Sequence, residues 1–232
     1  MIAINWLGCV DYAIAWEQQK SMVATLSHTT DHLGQLLLLE HPHTYTLGRN
    51  GHSENLLLNE TSLKVQGIAF YHVDRGGDIT YHGPGQLVGY PILNLKMLYP
   101  GYGLGIVRRY VSDLEEMLIQ TLRAFGLNGQ RHEHHRGVWL ETQSGLAKIA
   151  AIGVRISAGG ISSHGFALNV APDLRYFTGI IPCGIQELGV TSMTAMLGHP
   201  LTISDVLPTL TTAFSQVFNI NAPLIPNGTK AP

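Results

Sequence analysis

The chain has 232 residues, 45% hydrophobic and only 13% charged, with a formal net charge of -2 at pH 7 and an isoelectric point near 6.6. An average soluble domain carries about 25% charged residues, so this surface is poor in Lys, Arg, Asp and Glu, and a general nucleic-acid or membrane-surface binder, which needs a basic excess, is excluded. The 2 cysteines, Cys9 and Cys183, make no disulfide framework and no CxxC pair, which suits a reducing compartment and leaves room for a reactive thiol.

The opening residues MIAINWLGCVDY lack a basic stretch and reach Asp11 before any long apolar run, so no secretory leader is expected and a cytoplasmic location is. Cys9 falls beside a first strand and reads as a small buried hydrophobe. Asp11 predicts an N-cap for a helix over 11–27, with Tyr12, Ala15, Trp16, Met22, Val23 and Leu26 on one face. Strands are predicted at Leu36–Leu39 and Thr44–Leu47, and the first of these, the densest apolar run, is far too short to span a bilayer. A strand at Ala69–Val73 leads into residues 75–86, where four glycines and a proline predict a loop, and Leu87–Ile92 forms the next strand.

Val107, Tyr110, Val111, Leu114, Met117, Leu118, Leu122 and Phe125 recur at threes and fours, a helix over 106–125 that Gly126 stops. Strands follow at Val138–Leu140, Lys148–Ile156 and His164–Val170, then a last helix from Ser204 to Phe218. Several strands adjoin without a helical crossover, which favours hairpins and a mixed or antiparallel sheet, an α+β class, over a doubly wound parallel one. One large domain or two small ones would fit this length, no linker within 1–221 marks a boundary, and the tail over 222–232 is expected to be extended.

Several familiar signatures are absent. No Gly-Lys-Ser/Thr loop occurs, Gly101-Tyr-Gly103-Leu-Gly105 has the wrong spacing for a dinucleotide fingerprint, and there is no GxSxG elbow. His132-Glu133-His134-His135-Arg136 misses the HExxH pattern by one residue, and adjacent histidines on a strand would face opposite sides, so hydrogen-bonding or surface histidines are the reading and no metal is expected.

Three segments carry chemistry. In Arg75-Gly76-Gly77-Asp78-Ile79-Thr80-Tyr81-His82 the glycines let backbone N–H groups approach a ligand and Arg75, Tyr81 and His82 offer donors; a tight hairpin without a ligand fits equally well. Lys148 lies in an apolar, small-residue strand, where desolvation disfavours its charged form. It pairs with an acidic group, serves as a base, or reaches water from an edge, and the residues alone leave these open. Pro182 and Gly184 place Cys183 on a constrained turn, a nucleophile if a cation lies beside it and a buried hydrophobe if none does.

The segments GRNGHSENLL at 48–57, RGGDITYHGPGQLVGYPILNL at 75–95, HRGVWL at 135–140, AKIAAIGVRIS at 147–157, SHGFALNV at 163–170, IPCGI at 181–185 and GVTSM at 189–193, in this order, resemble the octanoyltransferase family of lipoate biosynthesis. The resemblance implies a biotin/lipoate protein ligase catalytic-domain fold: a mixed central sheet flanked by helices, with a smaller second sheet. It implies transfer of an octanoyl group from octanoyl-acyl carrier protein to a lysine of lipoyl domains, those of 2-oxoacid dehydrogenase E2 subunits and the glycine cleavage H protein, without a cofactor, nucleic acid or membrane. By motif position Cys183 would carry the acyl group and Lys148 would be its partner.

The family's acyl pocket maps onto Arg75, Gly76, Gly77, Asp78, Ile79, Thr80, Tyr81 and His82, onto Ala151, Ile152 and Gly153, and onto Gly165, Phe166 and Ala167. Position 151 departs from the Ser frequent in relatives. His52, His82 and His164 lie in matched motifs and receive no catalytic role. Both partner proteins are expected to be acidic, and Arg108, Arg109, Arg131 and Arg136 are candidates for a basic approach surface. Two rivals remain: an ATP-dependent lipoate or biotin ligase on the same fold, and a non-catalytic carrier- or lipoyl-domain-binding module.

Overall fold

A computed structural model describes residues 2–29, 31–181 and 189–225. Its main element is an eight-stranded mixed sheet built from β1 (Ala3–Cys9), β2 (Gly34–Glu40), β6 (Gln86–Leu93), β7 (Val138–Thr142), β8 (Gly145–Ile156), β9 (Ser162–Asn169), β10 (Gly189–Val190) and β11 (Leu224–Ile225). The order is β10-β8-β9-β6-β2-β1-β11, with β7 also paired to β8. A three-stranded sheet, β4-β3-β5, is made from β3 (Thr44–Leu47), β4 (Ala69–His72) and β5 (Ile79–His82).

The sequence explains why the central strands sit inside. All eight residues of β6 and all eight of β9 are buried, and Leu36–Leu39 of β2 faces core on both sides. Leu36 and Leu38 join the larger core, while Leu37 and Leu39 pack on the other face with α1 (Tyr12–Ser27), as the two-residue strand period requires. Over the larger core lie α4 (Ile106–Ala124) and α6 (Ile203–Phe218), which pack on one another through residues such as Leu114, Leu118, Leu210 and Phe214. Each such side chain contributes about 1.5–3 kcal/mol relative to leaving it in water. Shorter helices are α2 (Glu60–Val65), α3 (Leu95–Leu98) and α5 (Met193–Leu197).

Local chemistry fixes the helix ends. Asp11 accepts from the Ala13 and Ile14 N–H groups at the start of α1, and Thr202 with Asp205 forms a reciprocal capping box on α6. Gly126, at φ 78°, follows α4, the left-handed stop that a residue with a Cβ would adopt at a cost.

The mixed α+β architecture expected from the sequence is present, with corrections, and Cys9, read as a buried hydrophobe, is instead the exposed last residue of β1. Residues 79–82, expected as loop, form β5, because the glycines are confined to 76–77, 83 and 85 and leave Ile-Thr-Tyr-His free to pair antiparallel with β3. Residues 132–135, read as strand, are an irregular loop before β7, so strand alternation does not govern the histidines. Within α1 the buried face also takes Gln19, and Val107 of α4, counted among the inward residues, is 43% exposed. Leu224–Ile225 of the expected tail pairs parallel with β1. No helix among the described residues is long and apolar enough to cross a membrane.

Candidate active site

An open cleft of about 750 Å3 runs between the 50–55 loop, the 76–78 loop, α4 and β8, and it narrows at Gly77, Asp78, Ala151, Ile152 and Gly153 to an inner cavity of about 50 Å3. Basic side chains border the cleft: Lys148, Arg136, His52, His134 and His135. The inner cavity is walled largely by carbon, from Ile152, Phe166, Ala167 and the rings of Tyr12 and Tyr90, with Thr80, His82 and His164 between them.

Lys148 is set by strand register. A register shift between Val138 and Trp139 brings Trp139 opposite Lys148, and Val190 of β10 lies alongside. Lys148 is 9% exposed and its Nζ stands 4.7 Å from the centre of the Trp139 ring, itself 1% exposed. That cation–π contact supplies part of what burial of an amine removes. His132 and His135 lie against the same indole, and Trp139 Nε1 donates to the His135 carbonyl at 3.2 Å. Burial, with His132 and Lys148 adding to it, pushes the His135 ring below its usual pKa.

The 75–78 loop is tied on three sides. Gly76 N–H donates to Val154 O at 3.0 Å, Arg49 N–H to Arg75 O at 3.0 Å, and Asn50 N–H to Gly77 O at 3.3 Å. Gly77 adopts φ 87°, and a Cβ at Gly153 would stand 3.0 Å from both Arg75 Cδ and Gly76 O, so glycine is what lets loop and strand meet at the neck. The Arg75 guanidinium, expected as a ligand donor, donates to Thr46 O at 2.7 Å, Thr46 Oγ1 at 2.9 Å and Gly76 O at 3.0 Å, which holds the loop on β3. Asp78 accepts from His52 N, Ile79 N and Asn55 Nδ2, and so organises the cleft's far wall.

Most of the residues named from sequence therefore converge. Arg75, Gly77, Asp78, Thr80, His82, Ala151, Ile152, Gly153, Gly165, Phe166 and Ala167 line the inner cavity, and Gly76 and Lys148 line the cleft. Ile79 and Tyr81 do not join them. The pleat of β5 turns both into the small-sheet core, where Tyr81 stacks on Tyr176 and its hydroxyl bonds His43 Nδ1 at 2.8 Å. Cys183 lies outside the described residues. The chain is described up to Ile181, whose N–H donates to Asn55 O at 2.8 Å, and again from Gly189, which pairs with Ala147 beside Lys148.

Sequence reading missed a buried polar string behind the cavity. His82 Nδ1 bonds Gln86 Oε1 at 2.8 Å, Gln86 Nε2 donates to Asn169 Oδ1 at 3.0 Å, Asn169 Nδ2 donates to Thr191 O at 3.0 Å, and Thr191 N–H donates to Lys148 O at 3.0 Å. Because Gln86 Nε2 also donates to Tyr81 O, its Oε1 is the acceptor and His82 Nδ1 carries the proton. Burial holds His82 well below the usual histidine pKa, so the ring is neutral. The only signal for this string was that Gln86, Asn169 and Thr191 fall inside the matched motifs. His134 and His135, which the sequence suggests as strand residues, lie instead on a loop at the cleft. Of the four arginines proposed for docking, Arg109 pairs with Asp113 and Arg131 with Glu115 and Glu116, while Arg108 is exposed and Arg136 borders the cleft. No cluster of three or more His, Cys, Asp or Glu among the described residues is arranged to hold a metal ion.

Residues 11–215 match the lipoyl protein ligase A/B catalytic domain family. The chain is 48% identical over 218 residues to an octanoyltransferase of Solibacter usitatus, covering 93% of this chain and 92% of that protein. It is 47% identical over 210 residues to an octanoyltransferase of Bacteroides fragilis, covering 88% and 92%. Among solved structures, a bipartite lipoate protein ligase of Thermoplasma acidophilum, studied with its E2 lipoyl domain, shares the fold with a TM-score of 0.76 at 17% identity, covering 97% of this chain and 87% of that one.

Proposed function

The chain belongs to the octanoyltransferase family, within the lipoate and biotin protein ligase catalytic-domain superfamily, and on that footing we propose that it is an acyltransferase moving octanoyl groups from octanoyl-acyl carrier protein to a lysine of lipoyl domains. The acceptors are the lipoyl domains of 2-oxoacid dehydrogenase E2 subunits and the glycine cleavage H protein, met in the cytoplasm. The observation that carries this reading is the position of Lys148. It is a buried amine at the inner side of a cleft that narrows to a carbon-walled cavity, and it sits beside the strand that follows the Cys183 segment.

In the first half-reaction the Cys183 thiolate attacks the carbonyl carbon of the donor thioester. The tetrahedral adduct collapses with loss of the carrier's thiolate, leaving octanoyl on Cys183. An ammonium at Lys148 favours the attacking thiolate over the thiol. One thioester replaces another, so the step is nearly isoenergetic and needs no ATP. In the second half-reaction the neutral amine of the acceptor lysine attacks the enzyme thioester. An amide bond forms, Cys183 leaves as thiolate, and Lys148, which gave its proton to the departing carrier thiolate in the first half-reaction, takes one from the attacking nitrogen. Backbone N–H groups near Cys183 or in the 76–82 segment are the candidates for holding the oxyanion. The octanoyl chain runs past Gly76 and Gly77 and past Ala151–Gly153 with its tail in the inner cavity. Ala151 offers no hydroxyl there, so at that position only backbone groups remain as polar contacts.

Mixing the protein with octanoyl-acyl carrier protein, without ATP, and weighing it intact tests the mechanism. One octanoyl adduct is expected on the wild type and none on Cys183→Ser. Transfer to a lipoyl domain without ATP removes the ligase alternative, and a wild type that transfers without ever carrying an adduct overturns the covalent route.

A further inference from the structure

Asp78 lines the neck between cleft and cavity, and its carboxylate is engaged by the chain itself. Oδ1 accepts from the Ile79 N–H at 2.7 Å and the His52 N–H at 3.2 Å, and Oδ2 accepts from Asn55 Nδ2. Glycine at 51 makes room for this arrangement. A Cβ there would stand 2.7 Å from Asp78 Oδ1 and 2.2 Å from Leu47 Cδ1.

Asn55, 9% exposed, is the other end of that joint, and its backbone meets a different part of the molecule. Leu56 bridges antiparallel to Ile180, and both side chains pack in the small-sheet core. Two hydrogen bonds flank the bridge: Leu57 N–H to Gly179 O at 2.9 Å and Ile181 N–H to Asn55 O at 2.8 Å. The Asn55 carbonyl is thus the last described anchor of the chain, two residues before Cys183. The backbone bonds of Arg49 and Asn50 to Arg75 and Gly77 secure the start of the 50–55 loop. Residue 55 lies further on and is tied to the neck through the Asp78 side chain. One residue therefore links the neck, by its side chain, to the chain that leads into the thiol, by its backbone. Attack of a thiolate on a bound carbonyl depends on their separation, and a misplacement of about 1 Å costs about 10²-fold.

We propose that the Asn55–Asp78 hydrogen bond positions Cys183. It keeps the anchor at Ile181 in register with the neck, so that the thiolate meets the thioester carbonyl of a chain lying in the cavity. Asn55 acts through Ile181 and Asp78, as a positioning residue. The proposal rests on the reading that Cys183 carries the acyl group.

Single-turnover acylation of the full chain by octanoyl-acyl carrier protein, followed by intact mass, tests it. Asn55→Asp sets two carboxylates face to face, and its rate at saturating carrier should fall about 10²-fold. The half-saturating carrier concentration should stay within about threefold of the wild type. Asn55→Asp combined with Asp78→Asn rebuilds the bond with donor and acceptor exchanged. The new amide still accepts from the Ile79 and His52 N–H groups while donating to the new carboxylate, so about tenfold or more of the lost rate should return. Alkylation of Cys183 by iodoacetamide, followed by peptide mass because Cys9 is exposed, should be the same in wild type and Asn55→Asp.

A folded Asn55→Asp that acylates as fast as the wild type overturns the proposal, and so does an exchange that recovers nothing. A thiol slowed as much in alkylation as in acylation overturns it too, because its reactivity and not its place would then be lost. If Asn55→Asp does not fold, Asn55→Ala decides. About tenfold slower acylation is expected from one lost hydrogen bond to a carboxylate, and an unchanged rate overturns the proposal. A wild type that acquires no adduct fails the covalent reading and this proposal with it. Adducts formed at equal speed in wild type and variant fail the positioning role alone.

Discussion

The outer cleft and the inner cavity share five lining residues, yet they are built by opposite means. The cleft is bordered by loops at 50–55, 76–78 and 134–136 set against α4 and one stretch of β8, and by basic side chains. The cavity is mounted on β5, β6, β8 and β9, where pleat and register decide which residues face inward. A reacting end that meets other proteins needs an open approach, whereas discrimination among carbon chains needs walls that do not give. The neck at Gly153 is where the two requirements meet.

The comparison breaks most visibly at Lys148. Lys148→Ala leaves the cavity intact and removes the amine from the cleft, so octanoyl transfer should fall about 10²–10⁴-fold, the usual range for a lost proton-transfer group. Steady-state transfer to a lipoyl domain measures it, and a loss under threefold would remove the lysine from the mechanism.

The complementary change acts at the neck. Gly153→Val puts branched carbon where a Cβ already stands 3.0 Å from Arg75 Cδ and Gly76 O. Overpacking of this kind costs about 1–3 kcal/mol, so transfer of octanoyl should drop about tenfold or more. An acetyl donor, which does not pass the neck, should be spared. Equal losses for both donors would place the chain elsewhere.

A smaller effect separates the regions by pH. Burial holds His41 at about 4, and it also lowers His82 and His164 behind the cavity. Their folded pKa values lie below the unfolded value near 6.5, so between about pH 6.5 and 4 the unfolded chain binds more protons and stability falls as pH falls. One such group contributes at most about 1.4 kcal/mol per pH unit. Thermal melts from pH 7.5 to 4.5 should show this loss, and His41→Gln should flatten it. An unchanged slope in a folded His41→Gln would show that His41 is not the source.

The strands were legible where apolar runs were continuous, as at Leu36–Leu39 and Leu87–Ile92, because burial on both faces leaves no competing pattern. β5 was hidden by the glycines on either side of it, whose composition signals loop although four residues between them suffice to pair with β3. The site was legible as a set of motifs, but not the pleat that withdraws Ile79 and Tyr81 from it. Nor could sequence reveal the hydrogen-bonded string from His82 to the Lys148 carbonyl, since its members are far apart in the chain and polar side chains carry no periodicity. Gln19 is the same case: a buried amide on an apolar helix face, explained only by its bond to the His164 N–H.

The first strand of the main sheet receives its outer neighbour from near the other end of the described chain: Ile4 pairs with Leu224 and Asn5 with Ile225. On a ribosome that edge cannot close until residue 225 has been made, and β8, which carries Lys148, must likewise wait for Gly189 and Val190. Loop-closure entropy is spent on such distant pairings before they return any stability, which marks this as a slow folder with a long-lived open edge. Such an edge is a template for pairing with another chain, so during synthesis the unfinished sheet is the form of this protein most in need of a chaperone.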